Sequence, residues 1–285
     1  MSETGNIRRL EGVVPGQATS DGAGVSLTRY IGSHFLSELD PFLLLDFFES
    51  DDPDDYIAGF PSHPHRGFET VTYLLAGKMR HGDNAGHSGV IETGGIQWMT
   101  AGRGIVHSEM PEQEDGRLAG FQLWVNLPAS DKLCEPAYHE YPAAQIPAER
   151  HSSGGTVRVI TGTTSAGTTG PVSGVVTRPL YLDVELPAGA IFEEMIPAQH
   201  SAFVFAIEGD VQFGESDGDG TLRSRELGIL GEGERVMIHA GSTGARFLLV
   251  AARALHEPVA RYGPFVMNTR SEIEQAIRDF NSGRF

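Results

Sequence analysis

With 285 residues, 40% of them hydrophobic and 21% charged, the chain is sized for one or two globular domains and is neither a disordered tail nor a membrane protein. Lysine and arginine total 21 against 38 aspartate and glutamate, a net charge of −17, so the surface repels phosphates and direct nucleic-acid binding is not expected. The one cysteine, Cys134, rules out an internal disulfide framework; with an N-terminus (Arg8, Arg9, Glu11, Gly12) that lacks the apolar stretch of a signal peptide, it predicts a cytoplasmic protein.

In chain order, the densest apolar run is Phe42–Phe48, far short of the roughly 20 residues of a membrane span and broken by Asp46. Asp51, Asp52, Asp54 and Asp55 then read as a hydrated acidic loop. Thr70–Leu75 is a β-rich run closed by Gly77. Phe121, Leu123, Val125 and Leu127 alternate with Gln122, Trp124 and Asn126, the signature of a strand with one apolar face. Pro128, Pro136, Pro142 and Pro147 mark a linker. Leu180, Leu182, Val184 and Leu186 alternate again before the turn Pro187-Ala188-Gly189, and Ser201–Ile207 is a β-rich run closed by Gly209. Asp217-Gly218-Asp219-Gly220 lacks the remaining positions of a calcium loop and reads as a solvated turn. Only the end is helical: Ser271 with Glu274 predicts a capping box, Ile273, Ala276, Ile277 and Phe280 form one stripe, and Gly283 stops the helix.

A weak repeat is visible. Leu74-Leu75-Ala76-Gly77 is similar to Phe205-Ala206-Ile207-Glu208-Gly209, and Trp98-Met99-Thr100-Ala101-Gly102 to Met237-Ile238-His239-Ala240-Gly241. With 36 glycines as punctuation, the expectation is an all-β protein of two tandem, pseudo-symmetric barrels. The expected division is a first domain over 1–132, a linker over 133–150, and a second domain over 151–285 ending in a helix at about 271–282.

Five of the 11 histidines fall between His63 and His107, both included. Four groups there form two i, i+2 pairs, His63 with His65 and His107 with Glu109, and residues two apart on a strand share a face. If the two strands oppose each other, three imidazoles and one carboxylate converge, a donor set for one divalent ion of Fe, Mn, Ni, Cu or Zn. A single His-x-His pair is more often plain surface histidine; the second pair, approached through Gly102-Arg103-Gly104, makes the joint reading the stronger one. Pro64 inside the first pair predicts an edge strand or a bulge. His81 and His87 lack the paired spacing, and nothing marks Cys134 as an activated thiol.

The stretches Phe60–Thr70 (FPSHPHRGFET), Gln97–Pro111 (QWMTAGRGIVHSEMP) and Glu257–Arg270 (EPVARYGPFVMNTR) resemble those of the pirin family of bicupins, and the likeness spans most of the chain. The resemblance implies two cupin (jelly-roll-like β-barrel) domains with one mononuclear metal, usually iron as Fe(II), in the first. It carries the metal ligands onto His63, His65, His107 and Glu109, and places Phe60, Arg66 and Gln122 near the pocket mouth. The common cupin pattern would use Glu69 as a ligand, whereas pirin-like chains use the later Glu109, so Glu69 is expected behind the ligands or in a structural role. Aligning the repeat through its glycines puts Met195, Pro197 and Arg246 where His63, His65 and His107 stand, so the second barrel is expected to lack a metal.

The resemblance further implies quercetin 2,3-dioxygenase activity, in which a flavonol, a small planar aromatic, chelates the metal and its central ring opens with loss of carbon monoxide. Glu109 is the candidate base for the flavonol hydroxyl. The alternative is a non-enzymatic, iron-containing regulator that binds a transcription factor or metabolic enzyme; the charge of −17 favours a basic protein surface over DNA. A third is an isomerase or sugar-modifying cupin using the same ligands without redox chemistry.

Overall fold

The computed structural model describes residues 6–112, 115–215 and 220–285; the turn expected at Asp217-Gly218-Asp219-Gly220 lies largely outside them. The chain forms two compact units, and they do not follow the chain order. One unit joins Gln17–Ala143 to Leu255–Phe285; the other joins Ala144–Ala254 to the N-terminal segment through Gly16. The two ends of the chain are therefore exchanged relative to the simple division expected at 133–150. The expected linker is also ordered: Ala137–Tyr141 pairs with Ile96–Thr100 in the first unit, and Ala148–Arg150 pairs with Thr156–Arg158 in the second.

The two units repeat one antiparallel plan. In the first, a seven-stranded sheet runs in the order Ala137–Tyr141, Ile96–Thr100, Phe68–Ala76, Leu118–Asn126, Phe42–Ser50, Val25–Ile31, Gln17–Asp21. Its four-stranded partner runs Phe60–His65, Ile105–Pro111, Lys78–Asp83, Ser88–Glu92. In the second unit the seven strands are Leu10–Val14, Leu227–Leu230, His200–Glu208, Ala245–Arg253, Leu180–Leu186, Thr156–Thr161 and Ala148–Arg150. The four are Ile191–Met195, Arg235–Ala240, Val211–Phe213 and Thr221–Leu222. Leu10–Val14 thus does for the second unit what Ala137–Tyr141 does for the first: it covers the same edge, which would otherwise stand unpaired. This explains why the first strand of the chain is not part of the first unit.

Strand pairing also corrects the alignment of the repeat. Glu109 faces His81 and Pro111 faces Met79 in one unit; Ile238 faces Phe213 and Ala240 faces Val211 in the other. Met79 and Val211 each stand two residues beyond the matched glycines Gly77 and Gly209, so Glu109 corresponds to Ile238 and His107 to Val236. His107 faces His63 and Val236 faces Glu194, which makes Glu194 and Ile196 the counterparts of His63 and His65. Arg246 lies instead on the strand equivalent to Leu118–Asn126, and Met195 and Pro197 are one residue out of register. An error of one residue turns every side chain to the wrong face.

The C-terminal helix, Arg270–Asn281, is one residue from its expected span, but its cap differs. Thr269 is the N-cap and Glu272 closes the capping box, where Ser271 and Glu274 were expected. Ile273, Ala276 and Ile277 pack on Phe265 and Met267 of the hairpin Ala260–Tyr262/Phe265–Met267, all within the first unit. Gly283, at φ +67°, takes the left-handed conformation that ends the helix, its N–H donating to the Phe280 carbonyl.

Candidate metal centre

His63 and His65 sit on an edge strand of the four-stranded sheet, which is where Pro64 is tolerated, since its missing N–H faces no ladder partner. Across the ladder, His107 is registered against His63, and a bulge separates it from Glu109. The three rings meet: centroids are 4.6 Å apart for His63 and His65, 4.4 Å for His63 and His107, and 5.0 Å for His65 and His107. One ligand nitrogen from each lies within 4.8 Å of the others.

The hydrogen bonding of these rings is incomplete without a cation. His63 Nδ1 donates to the Pro61 carbonyl at 2.8 Å, which fixes the tautomer and leaves Nε2 as a bare lone pair. That Nε2 lies 3.0 Å from His65 Nε2, so a proton or a cation is needed between them. His107 is buried, yet neither ring nitrogen has a hydrogen-bond partner among the described residues, an omission that ordinarily costs about 1–3 kcal/mol. Burial pushes His107 down to about 4, with Glu109 pulling the other way and His63 adding to the fall. Burial, then the neighbouring His107 and His63, hold His65 well below the ordinary histidine range. Both rings are therefore neutral at pH 7 with lone pairs ready for a metal, and the donor set fits one.

Glu109 is buried and lines the same cavity as His63 and His65, although it stands outside the close set of three imidazoles. Its Oε1 accepts a 2.8 Å hydrogen bond from Thr72 Oγ1. The Gln122 amide lies 2.6 Å from the same hydroxyl. A hydroxyl has one proton, and the carboxylate can only accept, so the Gln122 amide fits as a donor to Thr72. Thr72 on one strand thus holds Glu109 and Gln122 of two others in fixed orientation.

Of the residues expected at the pocket mouth, Phe60 and Gln122 line the cavity; Phe60 also packs on the core around Phe48, Leu74 and Met79. Arg66 does not line it. Its Nη1 pairs with Asp279 at 2.8 Å, its Nε donates to the Arg103 carbonyl, and its guanidinium lies 4.2 Å from the Phe285 ring centroid. Arg66 anchors the C-terminal helix, because its backbone bridges to Phe265 and its side chain turns toward that segment. Glu69 is three residues from Thr72 on one strand and so points to the opposite face, where it accepts from Thr100 Oγ1 at 2.8 Å. Burial raises it to about 7. His81 is buried against Glu140, whereas His87 is exposed beside Asp83.

The cavity holds about 600 Å³ and includes residues that the spacing of histidines could not reveal. Asp46, the residue that interrupts the apolar run, is a buried carboxylate gripped by Arg29 through two hydrogen bonds of 2.8 and 2.7 Å. Trp124 shares the face of Gln122, as the alternation indicated, and meets His65 edge-on at 5.2 Å. Arg261, Gly263 and Pro264 come from the hairpin near the C-terminus.

Comparison with known proteins agrees with this architecture. Residues 24–125 match the pirin family model, and residues 181–285 match that of the pirin C-terminal cupin domain. A pirin-like protein of Caulobacter vibrioides is 52% identical over 98% of this chain and 99% of its own length. Pirin of Homo sapiens is 43% identical over 98% of this chain and 94% of its own. A crystal structure of quercetin 2,3-dioxygenase from Acinetobacter baumannii has a TM-score of 0.89 and 33% identity, covering 98% of this chain and 99% of that one. These two family models and the identity to relatives over nearly the whole chain, on two cupin units of one strand plan of which only the first holds an imidazole triad among the described residues, make this chain a member of the pirin family.

Proposed function

We propose that the chain is a metal-dependent dioxygenase that opens the central ring of flavonols such as quercetin, taking up one O₂ and releasing one carbon monoxide. His63, His65, His107 and Glu109 would hold a single divalent ion, Fe(II) by family resemblance. The observation that carries the reading is the pair of imidazole nitrogens 3.0 Å apart beside a buried His107 with no hydrogen-bond partner, opening on a cavity large enough for a tricyclic aromatic. The similarity to a quercetin 2,3-dioxygenase over the whole length supports the choice of substrate.

Bound there, iron supplies Lewis acidity toward the flavonol oxygens and one-electron chemistry with O₂. The protein does the rest. Glu109 Oε1 is held by Thr72, and the carboxylate would take the proton of the flavonol 3-hydroxyl as it ionises. Gln122, braced on the same hydroxyl, offers a polar contact to the substrate, while Phe60 and Trp124 supply aromatic walls that align the rings and exclude water.

Anaerobically prepared, iron-loaded protein mixed with quercetin and O₂ should consume the flavonol absorbance and release carbon monoxide in equal amounts, and His107→Ala should abolish both. Turnover unaffected by that substitution would remove the centre from the reaction. A second reading, an iron-containing regulator that docks on a basic protein, is supported by the charge of −17. Absence of turnover, together with partner affinity that follows iron oxidation state, would favour it.

A further inference from the structure

The cavity wall away from the imidazoles carries a cation whose surroundings do not answer it. Arg261 projects from the hairpin Ala260–Tyr262/Phe265–Met267, and its Cζ lies 4.7 Å from the centroid of the Trp124 ring. The same indole meets His65 at 5.2 Å. Trp124 therefore spans the distance between a candidate ligand imidazole and a guanidinium, and all three line one cavity.

Arg261 differs from the neighbouring Arg29. The charge of Arg29 is met by Asp46 and Asp21 in direct ion pairs of 2.7 and 2.8 Å. Arg261 makes one hydrogen bond, from Nη1 to the Leu43 carbonyl at 3.1 Å, and is in no ion pair among the described residues. Partial desolvation and the nearby Arg29 lower its affinity for the proton more than Asp46, Asp21 and Glu38 raise it, yet a guanidinium remains charged. Most of its N–H donors make no hydrogen bond among the described residues, the residue lines the cavity, and a guanidinium fork can grip an oxyanion through two parallel bonds. Its position over an indole holds the fork flat and limits the entropy lost on binding.

We propose that Arg261 and Trp124 form an anion-recognising subsite, and that this chain prefers planar aromatics with vicinal oxygen donors at one end and a negatively charged substituent at the other. The ring system would lie in the cavity beside the Trp124 indole, its oxygen donors toward the imidazoles and its acidic group at Arg261. The inference rests on the metal-site reading above for the first of those two anchors. It makes Arg261 a specificity residue that an uncharged flavonol would leave unused.

The test compares 2,3-dihydroxynaphthalene with its 6-sulfonate, titrated calorimetrically into protein loaded with redox-inert Ni(II). The sulfonate should bind wild type about tenfold more tightly than the parent diol, and the advantage should shrink as salt rises. In Arg261→Met and Arg261→Gln the advantage should vanish while the affinity for the parent diol stays, which also shows that the variants are folded; Arg261→Lys should keep part of it. Equal affinities in wild type, or an advantage that survives in both variants, would overturn the subsite and leave the metal reading standing. Diol binding that is the same with and without metal would overturn both.

Discussion

The two units share a strand order and differ in what fills the equivalent places. In one, the four-stranded sheet presents His63, His65 and Glu109 to a cavity, with His107 buried against the two imidazoles. In the other, the corresponding residues are Glu194, Ile196, Val236 and Ile238, and the last three join a continuous apolar core with Phe192, Phe213 and Phe247. Glu194, the one polar survivor, is satisfied by the N–H and hydroxyl of Ser165. The backbone plan is thus indifferent to chemistry. One interior is stabilised by burying hydrocarbon, while the other leaves polar groups short of partners that a bound cation would complete.

The largest effects should separate along that line. His107→Ala should lower metal affinity by at least about 100-fold, as deduced from the smaller losses seen when groups behind a ligand are removed, and elemental analysis after dialysis reads it. Phe213→Ala in the second unit should instead cost about 3–5 kcal/mol of stability, because it opens a cavity in a packed core, with metal content per folded molecule unchanged. If Phe213→Ala stripped the metal, or His107→Ala left it in place, the contrast between a filled and a chemical interior would fail.

Next in size is Lys132, which sharpens the same contrast within the first unit. Its ammonium is buried with three acceptors, the Gly67 and Val266 carbonyls and Asn126 Oδ1, at 2.7, 2.9 and 2.7 Å, and is in no ion pair among the described residues. It pins the loop after His65 to the C-terminal hairpin. Lys132→Met should cost about 2–4 kcal/mol by leaving those acceptors unmet, and chemical denaturation measures it. Burial depresses the Lys132 ammonium to about 8 against 10.5 for a free lysine. Between those values the unfolded chain holds more protons than the folded one, so this residue's contribution to stability rises with pH from about 8 to about 10.5. The wild-type slope over that window should be lost in Lys132→Met.

Glu69 should show the opposite sign. Its folded carboxyl is raised to about 7 by burial, against 4.5 in a free chain. The folded state keeps a proton that the unfolded state gives up, so its contribution to stability falls as pH rises from about 4.5 to about 7 and is flat beyond. The full swing is about 3 kcal/mol. Glu69→Gln should remove it, so that the variant gains on wild type across that window in melting experiments, with metal content intact because Glu69 faces away from the imidazoles.

The extent to which this was legible in the sequence follows from how far each signal reaches along the chain. The His-x-His and His-x-Glu spacings are local, and a period of two is a property of any strand, so the convergence of His63, His65 and His107 could be read before the fold was known. The pocket wall could not. Arg29, Asp46 and Arg261 share a cavity with Trp124 only because strands distant in sequence are laid side by side, and no local pattern says that Arg66 turns toward Asp279 while Arg261 lines the cavity. The exchanged chain ends escaped for the same reason: the apolar pattern of Leu10–Val14 asks for a sheet edge but does not say whose.

The smallest expected effect concerns the helix cap, where two readings of adjacent hydroxyls compete. Thr269 Oγ1 accepts from the Glu272 N–H at 3.3 Å, and Glu272 returns a carboxylate oxygen to the Thr269 N–H at 2.8 Å. Ser271 already lies inside the helix, and its hydroxyl meets only Thr269 at 3.1 Å. Thr269→Ala should therefore cost about 1 kcal/mol and Ser271→Ala only a few tenths. The helix packs on the hairpin that supplies Arg261 and Pro264, so hydrogen exchange should quicken there in Thr269→Ala. Strands of the second unit, which carries no α-helix among its described residues, should exchange as in wild type. Equal losses from the two substitutions would mean that the helix begins at Ser271 in solution, whereas a loss from Thr269→Ala that reached the second unit would show that the two halves unfold as one.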